Sequence, residues 1–243
     1  MPASFNLPCT RRQGLQLLAA AAATAFGGNA LSAEAWPSKT VRIIVPFAPG
    51  GGADGSARVL AEVLAQELGQ SVIVENKPGA GSVIGVTAAL QSRDGHTLLM
   101  GSNSMLINPF LNAAAKYDAV RDFDAVSMVS SQPLVLVVPA TAPHKSVAEI
   151  VAYAKAHPGK LSAGNSGSGT LAHIASESFG AQTGAQLTPV AYKGESALLP
   201  DLISGLVSLG FLNLPSVLPH IKSGRLRALA VSSAQPVAEL PQV

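Results

Sequence analysis

Two glycine-rich segments, each placed directly before an apolar helical pattern, contain the residues best suited to bind a small anion. The first segment spans 50–55 and the second spans 164–170. A helix N-terminus presents unpaired N–H groups and a partial positive charge, which favour an anionic ligand, and glycine lets the backbone approach it closely. The pattern predicts two backbone sites for an anion, although tight turns capped by Asp54 or Thr170 would give a similar sequence.

The other residue types give little support for catalysis or metal binding. The five histidines show no H-E-x-x-H or other ligand spacing, and the single cysteine cannot complete a Cys-based zinc site. No G-x-S-x-G segment is present, and Ser104 and Ser166 have no evident base beside them. The sequence therefore predicts a binding protein without catalytic residues, metal or cofactor.

Composition excludes several further classes of protein. The chain has 243 residues, a formal net charge of +2 and only 12% charged residues, so the basic footprint of a nucleic-acid-binding protein is absent. Aromatic residues make up 5%, too few for a base-stacking surface. Hydrophobic residues make up 48%, enough for a core, and no apolar run reaches the ~18 residues of a membrane-spanning helix. These values indicate a globular protein of one or two domains.

The first 35 residues have the order of a bacterial export signal. Paired arginines at 11–12 precede an apolar stretch at 17–28, and residues 33–35, Ala-Glu-Ala, resemble an A-x-A cleavage site. The arginine pair resembles a Tat signal, but Gly14 stands where that motif prefers a bulky apolar residue, so the Sec and Tat routes both stay open. We therefore expect cleavage near Ala35 and a mature protein in the periplasm.

Gly50, Gly52 and Gly55 also match the G-x-G-x-x-G pattern of dinucleotide-binding proteins, with Glu75 20 residues after the last glycine. Against this, residues 46–49, Pro-Phe-Ala-Pro, separate the preceding apolar run from the first glycine. The dinucleotide pattern needs its first glycine in the tight turn itself. An exported protein also meets little free dinucleotide. An exported dinucleotide-dependent oxidoreductase is therefore the alternative function.

Apolar patterns predict strands and helices in the alternating order of an α/β fold, with mostly parallel sheets flanked by helices. The predicted strands lie at 41–45, 71–74, 97–100, 126–129, 134–138, 160–163, 186–191, 206–212 and 226–231. The predicted helices lie at 57–68, 83–91, 147–156, 171–182 and 196–204, with a helical turn near 219–220. The alternation is interrupted after residue 120 and restarts after Pro139. We expect a first α/β domain at 36–138, a second at 139–225, and a segment at 226–243 that crosses back toward the first.

Several short segments together resemble one family of transport receptors. They are 37–39 (PSK), 43–54 (IIVPFAPGGGAD), 74–81 (VENKPGAG), 94–99 (DGHTLL), 108–109 (NP), 192–194 (YKG), 214–216 (LPS) and 226–231 (LRALAV). In this order they resemble the extracytoplasmic solute receptors of tripartite tricarboxylate transporters, the Bug family. The resemblance implies a type II-like periplasmic-binding-protein fold with a cleft between two domains. It further implies a small carboxylate or amino-acid ligand that is passed to membrane permease subunits, and we expect a monomer.

The resemblance also implies which residues contact the ligand. From the first domain these are Phe47, Ala48, Gly50, Gly51, Gly52, Asp54, Ser102, Asn103 and Ser104. From the second domain they are Asn165, Ser166, Gly167, Ser168, Gly169, Thr170, His173, Tyr192 and Lys193. Neither glycine-rich loop contains Arg or Lys. We therefore expect backbone N–H groups, hydroxyls and bridging water to hold the carboxylate, with Gly51 and Gly167 mattering more than Lys193.

The chain departs from the family pattern at two positions and at its end. Ser208 and Leu212 stand where the family usually has Asp, so a polar group expected near the cleft is missing. Family members also continue past residues 240–243 with segments that complete the first domain. The chain therefore resembles a member truncated at its C-terminus, and we expect an uncovered sheet edge or apolar face. A non-functional truncated paralogue is a further alternative.

Overall fold

The computed structural model of this protein describes residues 35–243, in which Lys39–Val243 form one compact unit. The described residues contain eight strands in two sheets, with helices packed on them. The export signal expected at 1–35 lies outside the described residues, apart from its last residue. Within residues 35–243, no helix combines the length and the hydropathy needed to cross a membrane.

The first sheet has three parallel strands in the order β2-β1-β3. These strands are β1 (Val41–Val45), β2 (Val72–Asn76) and β3 (Thr97–Leu99), and the helices between them are α1 (Gly52–Leu68) and α2 (Val83–Gln91). The β-branched run of β1 is almost fully buried, as expected for the central strand of a parallel sheet. Its residues Ile43 and Val45 pack against Ala57 and Ala61 of α1, so the apolar stripe of that helix lies on the sheet.

The second sheet has five strands in the order β6-β5-β7-β4-β8. They are β4 (Leu134–Pro139), β5 (Leu161–Asn165), β6 (Leu187–Ala191), β7 (Leu209–Asn213) and β8 (Leu226–Val231). The pairs β5–β6 and β5–β7 are parallel, whereas β4 is antiparallel to both β7 and β8. The flanking helices are α4 (Val147–Ala156), α5 (Leu171–Thr183), α6 (Glu195–Ser204) and α7 (Leu214–Lys222). The helix between the two sheets in sequence is α3 (Asn103–Leu111).

Strand β4 is buried throughout and forms the centre of two apolar clusters. Val135 and Val137 belong to one cluster with Leu198 of α6, and Leu136 and Val138 belong to the other with Ile150 of α4. Successive strand residues point to opposite faces, so one continuous apolar run supplies both layers. Strands β4 and β8 both pair within the second sheet. The domain bounds expected at residues 138 and 225 stay a prediction.

Helix ends follow the local sequence. Helix α1 ends at Gly69 and α6 at Gly205, both with left-handed backbone that glycine adopts without strain. Helix α4 begins after Ser146, whose hydroxyl accepts a hydrogen bond from the Glu149 N–H, and Thr170 caps α5 in the same way. These signals explain why α1, α4, α5 and α6 lie close to the predicted positions.

Three elements differ from the sequence prediction. Residues 126–129 form no strand, and Val126 and Met128 are more than 80% exposed, because no strand within residues 35–243 pairs with them. Helix α3 was not predicted; it contains Pro109, and its buried residues, Ser104 and Asn108, are polar. Helix α7 is a full helix where only a turn was expected, because its second residue, Pro215, suits a first turn.

Candidate functional site

The structure brings the two glycine-rich loops together. The first loop, residues 46–51, joins β1 to α1, and the second loop, residues 166–170, joins β5 to α5, so each follows the carboxyl end of a strand. The backbone N–H of Ala48 donates to the carbonyl of Lys193 at 3.2 Å. A third segment, the turn Gly79–Ser82, packs against the second loop so tightly that a Cβ on Gly81 would overlap the carbonyl oxygen of Ser168. Carboxyl ends of strands are where α/β sheets place ligand sites.

A cavity of about 30 Å³ lies between these three segments. It is lined by Pro46, Phe47, Gly79, Ala80, Gly81, Ser82, Ser166, Tyr192 and Lys193. Four of the predicted contact residues are therefore brought together: Phe47, Ser166, Tyr192 and Lys193. The volume holds about two water molecules. A carboxylate metabolite needs the loops to move apart.

The turn Gly79–Ser82 was missed as part of the site. All four residues have positive φ, including Ala80 at 48° and Ser82 at 94°. Residues with a side chain rarely adopt this conformation, and such strain persists only where the surroundings fix it. The sequence shows Pro-Gly-Ala-Gly here, which predicts a turn and gives no sign of its contacts.

Helix α3 holds this strained turn from behind. Asn108 Nδ2 donates to the Gly81 carbonyl at 2.6 Å and to the Ser104 carbonyl at 2.9 Å. Ser104 Oγ donates to Ser82 Oγ at 2.8 Å and lies 2.6 Å from Ser102 Oγ. Ser102 and Ser104 therefore bond within the first side of the cleft, and Asn103 is exposed at the start of α3. None of these three predicted residues lines the cavity.

Asp54 is buried, at 3% exposure, and its carboxylate is used inside the first loop. Oδ2 accepts from the Gly50 N–H and Arg58 Nε, both at 2.9 Å, and Oδ1 accepts from Arg58 Nη2 and Asn76 Nδ2. Burial raises the pKa of Asp54, but the hydrogen bonds from Arg58, Gly50 and Asn76 outweigh it and hold that pKa below its ordinary value. Asn76 Nδ2 also donates to the Phe47 carbonyl at 3.1 Å. Asp54 thus fixes the shape of the loop.

The glycines at the end of the first loop and the start of α1 line a second space. Gly50, Gly51 and Gly52 line an open groove of about 630 Å³ whose other walls include Val59 and Val63 of α1. Gly51 has φ of −86°, and a Cβ there would lie 3.8 Å from its nearest neighbour, the Ala48 carbonyl oxygen. The backbone and the surrounding space at Gly51 therefore do not require glycine, and the expected importance of this position for binding stays a prediction.

The second loop keeps several polar groups available. Within residues 35–243, no carboxylate bonds to its backbone N–H groups, and the hydroxyls of Ser166 and Ser168 have no hydrogen-bond partner. Asn165 Oδ1 accepts from the Gly167 N–H at 3.0 Å, but its Nδ2 is buried without a partner. Gly167 has φ of 134°, and a Cβ there would lie 3.2 Å from Gly81 Cα, so this position does require glycine.

His173 and Thr170 shape this loop from the first turn of α5. Gly169 N–H donates to His173 Nδ1 at 3.3 Å, and Thr170 Oγ1 donates to the Gly167 carbonyl at 2.7 Å. A Cβ on Gly169 would overlap the side chain of Asn108, so the loop packs directly on α3. Neither His173 nor Thr170 lines the cavity.

Tyr192 and Lys193 contribute different groups. The Tyr192 hydroxyl donates to Asp201 Oδ2 at 2.6 Å, and burial together with that bond raises the pKa of Tyr192 to about 12. Its hydroxyl is therefore committed, and only the rest of the residue faces the cavity. The Lys193 ammonium forms no ion pair within residues 35–243. Lys193 is thus the one unpaired cation among the described residues that line the cavity.

The two positions at which the chain departs from the family pattern are not at the cavity. Ser208 Oγ accepts from the Ser162 N–H at 3.1 Å, at the start of β5, whereas the second loop follows the end of that strand. Leu212 is fully buried in the apolar cluster around Leu198 and Leu202. Neither position therefore lines the cavity.

Comparison with known proteins gives a consistent picture. Residues 56–243 match the family described as tripartite tricarboxylate transporter family receptor. The chain is 40% identical over 224 residues to Protein BugT of Bordetella pertussis, a match that covers 91% of this chain and 69% of BugT.

Solved structures agree. "Structure of a periplasmic transporter" is 39% identical with a TM-score of 0.83, covering 86% of this chain and 71% of that one. The structure described as R. palustris Rpa4515 with adipate is 34% identical with a TM-score of 0.79, and the match covers 82% of this chain and 68% of that one. The structure of MatC from Rhodopseudomonas palustris with bound malate is 26% identical with a TM-score of 0.79, and the match covers 86% of this chain and 71% of that one. These matches confirm the predicted periplasmic-binding-protein fold, and they contradict the oxidoreductase alternative because the matched proteins are binding proteins and not enzymes.

Proposed function

Because the chain belongs to the receptor family of tripartite tricarboxylate transporters, a family of solute-binding proteins, we propose that it captures a small carboxylate-bearing metabolite between its two sheets. We further propose that it passes this ligand to the membrane permease subunits of such a transporter. Export through the segment at 1–35, by the Sec or Tat route, would place it in the periplasm as a monomer. N-terminal sequencing of periplasmic material that returned Met1 would contradict cleavage of this segment near Ala35.

The observation that carries this proposal is the cavity between the first loop, the turn Gly79–Ser82 and the second loop. It combines an unpaired ammonium, Lys193, with the unpartnered hydroxyl of Ser166, and both suit a carboxylate oxygen. Two of the matched structures are described with adipate and with malate, which are both dicarboxylates. A dicarboxylate is therefore the ligand class we favour.

The donors for the carboxylate lie mainly on the second side of the cleft. There the ligand would accept hydrogen bonds from Lys193, from Ser166 and from Ser168, with Asn165 Nδ2 as a further unpartnered donor nearby. Phe47 and the turn Gly79–Ser82 would close over the apolar part of the ligand from the other side. Asp54 would affect binding indirectly by holding the first loop in place. Ser102 and Ser104 would do so by holding the turn Gly79–Ser82.

Capture requires a movement of the loops. The cavity of about 30 Å³ is smaller than adipate or malate, so we propose that the loops separate to admit the ligand and close on it. Opening must break one backbone hydrogen bond, from Ala48 to Lys193, and the close packing of Gly81 on Ser168 and of Gly169 on Asn108.

A thermal-shift screen followed by calorimetry tests the proposal. The probes are adipate, malate and a panel of amino acids, with dimethyl adipate as the matched control that keeps the carbon skeleton and removes both charges. A ligand at 100 times its dissociation constant adds about 2.7 kcal/mol to the free energy of unfolding, which gives a readable shift in melting temperature. If no carboxylate raises the melting temperature, or the ester does so equally, the proposed function is wrong.

A further inference from the structure

A buried carboxylate that sequence reasoning did not single out lies beside the first loop. Glu195 is the first residue of α6 and is 5% exposed. Its Oε1 accepts from the Asn213 N–H at 2.8 Å and from Asn213 Nδ2 at 3.0 Å, and its Oε2 accepts from the Ser216 hydroxyl. The N–H of Gly52 faces the same carboxylate and lowers its pKa.

These donors belong to the beginnings of helices. Gly52 is the first residue of α1, Asn213 is the residue that caps α7, and Glu195 itself begins α6. The partial positive charges of three helix N-termini therefore surround one carboxylate. Within residues 35–243, Glu195 has no cationic partner, so neutral donors alone compensate its burial.

The packing around the carboxylate is close. A Cβ on Gly52 would lie 3.4 Å from Ser216 Oγ and 3.6 Å from Asn213 Cβ, so the first turn of α1 sits directly on the start of α7. Helix α1 follows β1 of the first sheet, whereas α6 and α7 flank the second sheet. One side chain thus joins elements of both sheets, at the end of the loop that lines the cavity.

We propose that Glu195 is a positioning residue that fixes the start of α1, and with it the first glycine-rich loop, to the helices of the second sheet. The loop is then held at two points, by Asp54 through Gly50 and by Glu195 through Gly52. Burial raises the pKa of Glu195 while its hydrogen bonds oppose that rise, as expected for a desolvated acceptor. The effect on ligand affinity rests on the function proposed above, whereas the anchoring itself does not.

Glutamine is the informative replacement. Oε1 accepts from the N–H and the Nδ2 of Asn213, so an amide NH₂ in its place would face only donors, whereas an NH₂ in place of Oε2 could donate to the Ser216 hydroxyl. The Glu195→Gln side chain therefore keeps the size of glutamate, but it has one acceptor oxygen instead of two and no charge, so it holds the surrounding N–H groups more weakly. The matched control is Glu149→Gln, which changes an exposed glutamate in the first turn of α4 that also accepts a backbone N–H.

Amide hydrogen exchange measured by NMR on the full chain tests the anchor without any ligand. We expect exchange at the Gly52 N–H to be at least tenfold faster in Glu195→Gln than in the wild type, with the amides of β1 unchanged. Glu149→Gln should leave Gly52 unchanged. If Glu195→Gln does not fold, Ser216→Ala, which removes one donor, should still accelerate Gly52 exchange about threefold. Unchanged exchange at Gly52 in the variant that folds overturns the proposal.

Calorimetry with adipate and malate then separates the two proposals. Where the wild type binds a probe, Glu195→Gln should bind it about tenfold more weakly and Glu149→Gln with wild-type affinity. Faster Gly52 exchange with unchanged affinity overturns the role of Glu195 in positioning the loop for the ligand. Faster exchange in a protein that binds no carboxylate supports the anchor and contradicts the proposed function.

Discussion

The two glycine-rich loops look alike in sequence and differ in how much of their polar surface is free. In the first loop the N–H of Gly50 bonds to Asp54, and at the start of α1 the N–H of Gly52 faces Glu195, so the chain's own carboxylates occupy the anion-binding groups there. In the second loop, within the described chain, no carboxylate takes a backbone N–H, and Ser166 and Ser168 are unpartnered. A glycine-rich loop before a helix is thus an anion site only when no internal acid reaches it.

This difference changes the expectation of two equivalent loops. The first loop acts as a shaped wall, held by Asp54 and Glu195, while the second loop and Lys193 supply donors for a charged ligand. The electrostatic reason is direct, since a helix N-terminus that already holds a carboxylate repels a second one. Substitutions on the two sides of the cleft should therefore have different effects.

The largest effect is expected for Gly81→Ala. A Cβ there would overlap the Ser168 carbonyl oxygen, and the backbone φ of 62° adds strain, so the loops cannot close. We expect the affinity for adipate or malate to fall about 100-fold, the equivalent of about 2.7 kcal/mol. The matched control is Gly51→Ala, where space is open, and it should change affinity less than twofold. Calorimetry that finds equal losses in both variants contradicts the asymmetry.

A smaller effect is expected for the cationic donor of the second side. Lys193→Ala removes one charge-assisted hydrogen bond, worth about 1–2 kcal/mol, so affinity should fall about tenfold. The control Lys160→Ala removes an exposed lysine that precedes β5 and does not line the cavity. If Lys193→Ala binds as tightly as Lys160→Ala, the ligand carboxylate is held elsewhere.

Much of the fold could be predicted because its signals are local. The β-branched run of β1, the cap at Ser146 and the glycine that ends α1 each act within a few residues. Residues 126–129 have the pattern of a strand but form none, since a strand exists only with a partner, and pairing is a property of distant residues. Helix α3 was missed for the converse reason, because Asn108 and Ser104 are fixed by bonds to the turn Gly79–Ser82.

The site was predicted in part, for the same physical reason. The glycine-rich pattern indicated both loops and the family resemblance indicated Lys193, and all three lie around one cavity in the structure. It could not show that Asp54 and Glu195 use the donors of the first loop, because Glu195 is over 140 residues away from Gly52 in the chain. The strained turn at Gly79–Ser82 was also hidden, since its importance comes from its contact with Ser168.

Asp54→Asn should weaken the first loop without removing a ligand donor. It disrupts hydrogen bonds from Gly50, Arg58 and Asn76, but Arg58 is 55% exposed, so the ion pair itself contributes little. We expect the free energy of unfolding to fall by about 1–3 kcal/mol at pH 7, measured by urea denaturation. Affinity should fall less than it does in Lys193→Ala.

The same variant has a pH signature. Because the folded-state pKa of Asp54 lies below its ordinary value of 3.8, its stabilisation is present above that value and is lost as pH falls further. The melting temperature of the wild type should therefore exceed that of Asp54→Asn above about pH 4, and this difference should shrink as the pH falls below it. A constant difference between the two proteins down to pH 2 would show that the charge of Asp54 is not what holds the loop.

The smallest effect is expected at Ser208, where the family usually has Asp. Its hydroxyl accepts from the Ser162 N–H, and Ser162 Oγ accepts from the Ser208 N–H at 2.9 Å, which ties the starts of β5 and β7. Ser208→Ala removes one such bond and should lower the free energy of unfolding by about 1 kcal/mol. Affinity for adipate or malate should stay within twofold, in Ser208→Ala and in Ser208→Asp alike, because both loops of the site follow the opposite ends of their strands. A change in affinity beyond twofold in either variant would mean that the amino ends of β5 and β7 also act on the cleft, and the contrast between the two loops would then be incomplete.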